Sequence, residues 1–415
     1  MNNKIILIVM LCIFSKINAQ NTTIIPAAND SRVITTGLPF VLIAPDARAA
    51  ALGDMGVATS VDAFSQQWNA SKYAFSEVKS GVAVSYTPYL TQLVNDIFLG
   101  NVTYFNRIDE RSAIGASLKY FSLGDIEFRD DEFSEPLTQR PNEFSIDASY
   151  ALRLTDQFSM SVAMRFLRSD LRLNTGNTDA SAASTFGVDI SGFYQGEEQA
   201  YKDFNGRWRG GFAIQNIGPK FKYDDAGAEN FQPTNLRLGG GFDFIFDDYN
   251  KLAVTAEFTK LLVPTPPIRG IETNFTDNNG NNTYEEGIDD LGTRVDGAQP
   301  QIISGQSTDV NFLSGVFQSF GDAPGGFSEE LRELTWALGA EYTYQDAFAF
   351  RAGYFNEAEE KGARKFLAVG AGFKYNVVNI DMSYLFSTAK VQSPLESTLR
   401  FSLTFNIGAG QYNEY

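Results

Sequence analysis

Asp277, Asn279, Asn281 and Thr283 place an oxygen-bearing side chain at every second position, with Asp289 a little further on. Calcium loops present ligands to a hard cation in this alternation, so the stretch is a weak candidate for a calcium site. The match is incomplete: the glycine such loops place sixth is Asn282, and the position of the terminal acid holds Ile288. A solvated acidic loop is the plainer reading. The same holds for the paired carboxylates Asp130 and Asp131, Glu197 and Glu198, and Glu359 and Glu360, all in segments read as loops. Histidine is absent, which removes the usual general base and the commonest transition-metal ligand. The sole cysteine is Cys12. With neither a Gly-x-Ser-x-Gly elbow nor a Walker loop, the chain is expected to be no enzyme and to need no cofactor.

A second group of residues suggests contact rather than reaction. Phe312, Val316, Phe317 and Phe320 would share one side of a short amphipathic helix capped by Asp309 or Thr308. Such a helix either folds back onto the body that carries it or docks into a partner protein. A nucleic-acid partner is not expected, because the formal net charge is -17.

The elements that must position these residues are strands. The chain of 415 residues carries 35 Phe, 18 Tyr and 36 Gly, a mixture that favours strands over helices. Residues 1–19 read as a secretory signal, with Lys4 as the positive region, an apolar core over 5–14 and Ala19 before a cut at Gln20. Cys12 lies in that apolar core, so the exported chain has no thiol for a disulfide, a nucleophile or a metal. Beyond the signal no apolar run approaches the ~20 residues of a membrane helix, so a membrane would have to be crossed by strands.

From residue 80 the sequence alternates apolar and polar residues in segments of roughly ten, the pattern of a transmembrane barrel. Leu399, Phe401, Leu403, Phe405 and Ile407 are apolar, and every residue between them is polar. Strands are expected over 80–88, 97–107, 111–123, 142–154, 157–171, 182–195, 207–217, 234–246, 251–262, 333–345, 347–356, 364–376, 377–388 and 396–407. That makes about fourteen, an even number as bacterial barrels have.

The connections alternate too. Tight turns at 107–111, 154–157, 246–251, 345–347 and 376–377 interleave with long links, the longest over 263–332. Such barrels keep short turns in the periplasm and long loops outside, which would leave both termini in the periplasm and 408–415 as a tail. The turn at 195–207 is longer than this scheme expects. A soluble β-sandwich or propeller is the alternative, but it lacks the two classes of loop. Residues 20–79 hold short helical pieces and many apolar residues. They read as a plug for the lumen, with a periplasmic tether as the other reading.

Within that segment, the string over 45–58 (Pro-Asp-Ala-Arg-Ala-Ala-Ala-Leu-Gly-Asp-Met-Gly-Val-Ala), followed by Asp62-Ala-Phe and Trp68-Asn69, resembles the amino-terminal region of the PorV group. These are type IX secretion outer-membrane proteins, similar in fold to the FadL fatty-acid channels. The sequence departs at Ala70, where related barrels often have proline after the asparagine. The resemblance implies an all-β outer-membrane barrel of about fourteen antiparallel strands with a plug containing Arg48, Leu52, Asp54, Trp68 and Asn69. It also implies a shuttle: a protein that meets the secretion translocon of the outer membrane, takes over the carboxy-terminal signal domain of secreted cargo and passes it to a surface attachment complex. The competing reading is a FadL-like channel for hydrophobic small molecules. A general porin is disfavoured by the apolar content of the plug.

Overall fold

The computed structural model describes residues 21–26, 31–90, 96–129, 135, 137–171, 182–223, 227–389 and 398–408. The described residues fall into two compact units, one within 32–265 and 308–408, the other within 21–31 and 266–307.

The larger unit is a closed ring of fourteen antiparallel strands. In chain order these are β1 (Ser80–Pro88), β2 (Ile97–Arg107), β3 (Ser112–Leu123), β4 (Asn142–Arg153), β5 (Phe158–Asp170), β6 (Ala183–Gln195) and β7 (Asn205–Ile217). They continue as β8 (Asn235–Ile245), β9 (Asn250–Leu261), β10 (Thr335–Tyr344), β11 (Phe348–Asn356), β12 (Lys365–Tyr375), β13 (Val378–Ser387) and β14 (Leu399–Ile407). Each strand pairs with its neighbours in sequence, and β14 pairs with β1 from Ser80↔Ile407 to Tyr86↔Phe401, so the ring has no free edge. All fourteen expected strands are present, with ends shifted by a few residues at most.

Burial along the strands is inverted relative to a soluble protein. In β14, Arg400, Ser402, Thr404 and Asn406 are buried, whereas Leu399, Phe401, Phe405 and Ile407 are exposed. The same holds for β5, where Ser159, Ser161 and Arg165 are buried and Val162, Met164 and Phe166 are exposed. Left in water, each such apolar side chain would forgo about 1.5–3 kcal/mol of burial free energy, so this outer face belongs against hydrocarbon. Ten residues at ~3.3 Å rise and ~45° tilt cover about 23 Å, enough for the thin outer-membrane core. None of the described helices is long and apolar enough to cross a membrane.

The two ends of the ring differ. At one end the turns are tight: Gln345 and Asp346 both take positive φ (55° and 51°), as a two-residue hairpin turn of the primed type demands. Asp109 and Asp247 close two other turns at this end by accepting backbone N–H bonds from Arg111 and Ser112, and from Tyr249 and Asn250. The overlong turn after β6 is accounted for by a short strand, Gln199–Ala200, that pairs with the start of β7. Long connections occupy the other end; one carries a small hairpin, Ile126–Phe128 with Leu137–Gln139.

Residues 32–79 run through the ring from the long-loop end to the short-turn end. Leu38 and Phe40 cluster with Leu99, Phe121, Leu167 and Phe221 near the long loops, while the Lys79 carbonyl accepts from Arg107 N at the other end. The described chain therefore enters the ring at the long-loop end, and β14 leaves it at the short-turn end. Alternation of turns fixes where β1 begins, but not which way the preceding segment runs.

The smaller unit is a sheet in which Ile268–Thr276 pairs with Asn21–Pro26 on one side and with Asp290–Arg294 and Gln301–Ser304 on the other. Ile24 and Ile25 thus belong to a strand, and residues 263–332 carry short strands and helices of their own.

Candidate functional site: the filled lumen and the loop helices

The lumen segment is shaped by its own short-range chemistry before it meets the wall. Asp46 caps the helix α1 (Ala47–Ala51) by accepting from Ala49 N at 2.8 Å, and its other oxygen accepts from Trp68 Nε1 at 2.9 Å. Gly53, with φ of +89°, ends the turn where a Cβ would lie 2.9 Å from the Tyr354 carbonyl oxygen. Trp68 closes a second short helix, α2 (Ser65–Trp68), and the Arg237 guanidinium lies 5.0 Å over its ring.

The wall receives this segment in two ways. Glycines on five strands face inward where backbone passes close. A Cβ on Gly211 would stand 2.2 Å from the Val57 carbonyl oxygen, one on Gly353 2.1 Å from the Leu52 carbonyl carbon, and one on Gly370 2.4 Å from Ala51 Cβ. Gly239 and Gly339 likewise face Val57 and Met55 at 2.6 and 2.5 Å. Around this girdle the wall supplies hydrogen bonds. Arg48 pairs with Glu341 and with Asp62, and Arg400 donates to Asp54 at 3.1 Å. Glu257 accepts from Gly56 N and Val57 N, and Asn69 Nδ2 donates to the Val57 and Gly192 carbonyls at 2.9 and 3.0 Å. Arg48, Leu52, Asp54, Trp68 and Asn69, read from sequence as plug residues, are all brought into the lumen and onto the wall. Sequence reasoning missed their wall partners Glu257, Glu341 and Arg400; their only signal was charge on the polar face of a strand. A cavity of about 390 Å³ at the short-turn end is polar, lined among others by Arg48, Asp62, Glu341, Arg351 and Asp381.

At the opposite end two helices lie on the long connection, α3 (Phe312–Gln318) and α4 (Phe327–Arg332). The cap of α3 is Asn311, which accepts from Ser314 N at 2.9 Å, rather than Asp309 or Thr308, because the first turn starts at Phe312. Gly315 is its buried position, against Phe231 and Pro264. Phe312 and Val316 are half-buried, while Phe317 (76% exposed), Phe320, Leu313, Phe327 (77%) and Leu331 are open. The last three were not anticipated.

An ion cluster fixes α4. Lys260 donates to Glu330 at 2.9 Å and to Glu333 at 2.7 Å, Lys361 donates to Glu329 and Glu333 at 2.6 and 2.9 Å, and Arg32 pairs with Glu329. Burial by itself would raise the Glu329 carboxyl, but the bonds from Arg32, Lys361 and Gly325 N bring it down to about 2. Glu333 is lowered as well, the bonds from Lys260, Thr265 and Lys361 outweighing its burial.

The Asp/Asn stretch folds on itself. Asp277 accepts from Gly280 N and Asn282 N at 2.6 Å each, Asn279 and Asn281 accept from Asn281 N and Thr283 N, and Asp289 accepts from Asn278 N and Glu285 N at 2.8 Å each. Asn282 takes the positive φ (58°) that a glycine would supply at that position. Among the described residues no group of three or more acidic side chains is placed to hold a metal ion.

A closed ring with apolar side chains outside and ion pairs inside defines an outer-membrane β-barrel. The family model for the type IX secretion system protein PorV matches residues 26–268, more than half of the chain, which therefore belongs to this family. Solved structures of similar shape include the Pseudomonas putida toluene transporter TodX, at 11% identity and TM-score 0.46, covering 90% of this chain and 99% of that one. The Ralstonia pickettii toluene transporter TbuX is 13% identical with TM-score 0.44 over 88% of this chain and 97% of its own. A Pseudomonas aeruginosa FadL homologue is 11% identical with TM-score 0.41 over 91% and 99%. No match to the sequence is found among curated proteins.

Proposed function

We propose that this barrel receives the carboxy-terminal signal domain of secreted cargo at the translocon and hands it to a surface attachment complex, working from its long-loop face rather than through its lumen. Family membership supports the secretion role. The single observation that carries the choice of face is the fit between lumen segment and wall: five glycines, the Arg48–Glu341 and Asp54–Arg400 pairs, and the bonds from Gly56 N and Val57 N to Glu257 hold residues 48–58 in place. A conduit would have to break them. The open side chains of α3 and α4, among them Phe317 and Phe320 with Phe312 and Val316 beside them, offer an apolar surface for a protein partner. In this reading the short turns face the periplasm, the long loops face outward, no reaction is catalysed, and the Asp277 loop has a structural part.

The test is deletion of the gene followed by an inventory of surface proteins. Loss of many proteins that share a carboxy-terminal domain, restored by the intact gene, is the expected result. If surface proteins are unchanged and only uptake of a hydrophobic nutrient fails, the proposal is wrong and the barrel is a channel.

A further inference from the structure

We infer that the amino-terminal arm of the exported chain lies outside the cell and straps the long connection to the segment that fills the barrel. The inference rests on the orientation given above, with short turns toward the periplasm. Within the ring the chain has a direction. Gly37 N donates to the Phe231 carbonyl at 2.9 Å and Leu38 N to the Tyr223 hydroxyl at 2.8 Å, both in the connection between β7 and β8 at the long-loop end. Forty-odd residues later the Lys79 carbonyl meets Arg107 N beside a short turn. Whatever precedes Arg32 must therefore leave the ring on the long-loop side.

That preceding stretch is a strand. Asn21–Pro26 runs in unbroken register with Ile268–Thr276, from Asn21↔Phe275 to Pro26↔Gly270, and Thr22 Oγ1 donates to Glu272 at 2.7 Å. Its partner belongs to the long connection between β9 and β10. The same connection carries Glu329, which pairs with Arg32 where the lumen segment begins. The long connection is thus tied twice to the chain that leads into the lumen, by the strand ladder at residues 21–26 and by the part-buried pair of Arg32 with Glu329. Force applied to the connection by a bound partner would reach the lumen segment through both ties.

Cysteine labelling tests this cleanly, since Cys12 is the only native thiol. Thr22→Cys, Thr283→Cys and Asp248→Cys variants of the full chain are treated with a membrane-impermeant maleimide, in intact and in permeabilised cells. The expected result is equal labelling of Thr22→Cys and Thr283→Cys in intact cells, with Asp248→Cys labelled only after permeabilisation. Labelling of Thr283→Cys but not Thr22→Cys in intact cells would overturn the surface placement. The reverse pattern, Asp248→Cys labelled and the other two protected, would overturn the orientation, and the surface placement with it, a failure distinct from the first. Ile24→Cys serves as a second arm position if Thr22→Cys does not assemble. For the strap, Thr23→Cys with Thr273→Cys, directly opposite in the ladder, should form a disulfide in the assembled protein. A folded double variant that stays fully reduced under mild oxidation would overturn it.

Discussion

Arg48 in the lumen segment and Glu341 on β10 form a two-pronged pair, Nε to Oε2 at 2.9 Å and Nη2 to Oε1 at 2.7 Å, with both side chains buried. This is the strongest geometry available to a guanidinium and a carboxylate, and Glu341 also accepts from Arg351. Removing Arg48 leaves Glu341 with Arg351 but takes the guanidinium from both Glu341 and Asp62, and hydrogen bonds to charged groups are typically worth about 1.5–3 kcal/mol. Arg48→Met is therefore expected to lower the temperature at which the folded barrel converts to the unfolded species on a heat-modifiability gel. An unchanged transition would show that the pair does not hold the segment.

The glycine girdle makes a sharper demand. Gly353→Val places methyl groups where the Leu52 carbonyl already lies, and backbone cannot yield as a flexible side chain can. The variant is expected to fail to assemble or to expel residues 51–58, read as new protease cleavage there. Gly240→Ala, on the exposed face with nothing nearer than 4.0 Å, should behave as wild type.

The cluster around α4 should respond to acid. Glu329, at about 2 in the folded chain, lies below its ordinary 4.5, so the folded state is favoured above pH 4.5 and that advantage fades as pH falls toward 2. Glu333 acts in the same sense. Asp322, raised by burial, acts in the opposite sense. Proteolysis of the long connection is expected to accelerate between pH 5 and 3, taken as roughly the span of these groups, and Glu329→Gln should flatten that dependence. Acceleration unaltered by Glu329→Gln would place the sensitivity elsewhere.

Phe317 and Phe320 bear on partner contact rather than on the fold. Since both are open, Phe317→Ser with Phe320→Ser should leave the heat-modifiability of the barrel unchanged. If these side chains anchor a protein partner, each is worth about 1–2 kcal/mol, so the double variant should weaken co-purification by at least about tenfold. Retained capture would remove α3 from the interface.

Much of the barrel was legible because a strand with one face in lipid and one in a polar lumen must alternate: Leu399, Phe401 and Phe405 are as regular outside as Arg400, Ser402 and Thr404 are inside. The lumen segment was legible only as composition. Its apolar residues marked it as buried, and the partners of Arg48 and Asp54 lie roughly three hundred residues away in sequence, beyond any local pattern. Apolar content alone likewise does not tell the strand that holds Ile24 and Ile25 from a piece of a plug. On α3, Phe312 and Val316 are half-buried while Phe317 and Phe320 are open, and Gly315 rather than the phenylalanines makes the close contact, because packing against Pro264 favours the side with least bulk.

The fit of residues 51–58 against five strands also bears on the order of events during biogenesis. A cylinder already sealed could not admit a string of residues whose path lies within van der Waals reach of five strands. The leading stretch must be laid down first and the sheet wrapped around it. Pairing of the first strand with the last, at Val84↔Leu403 and its neighbours, is then the final zip rather than the first.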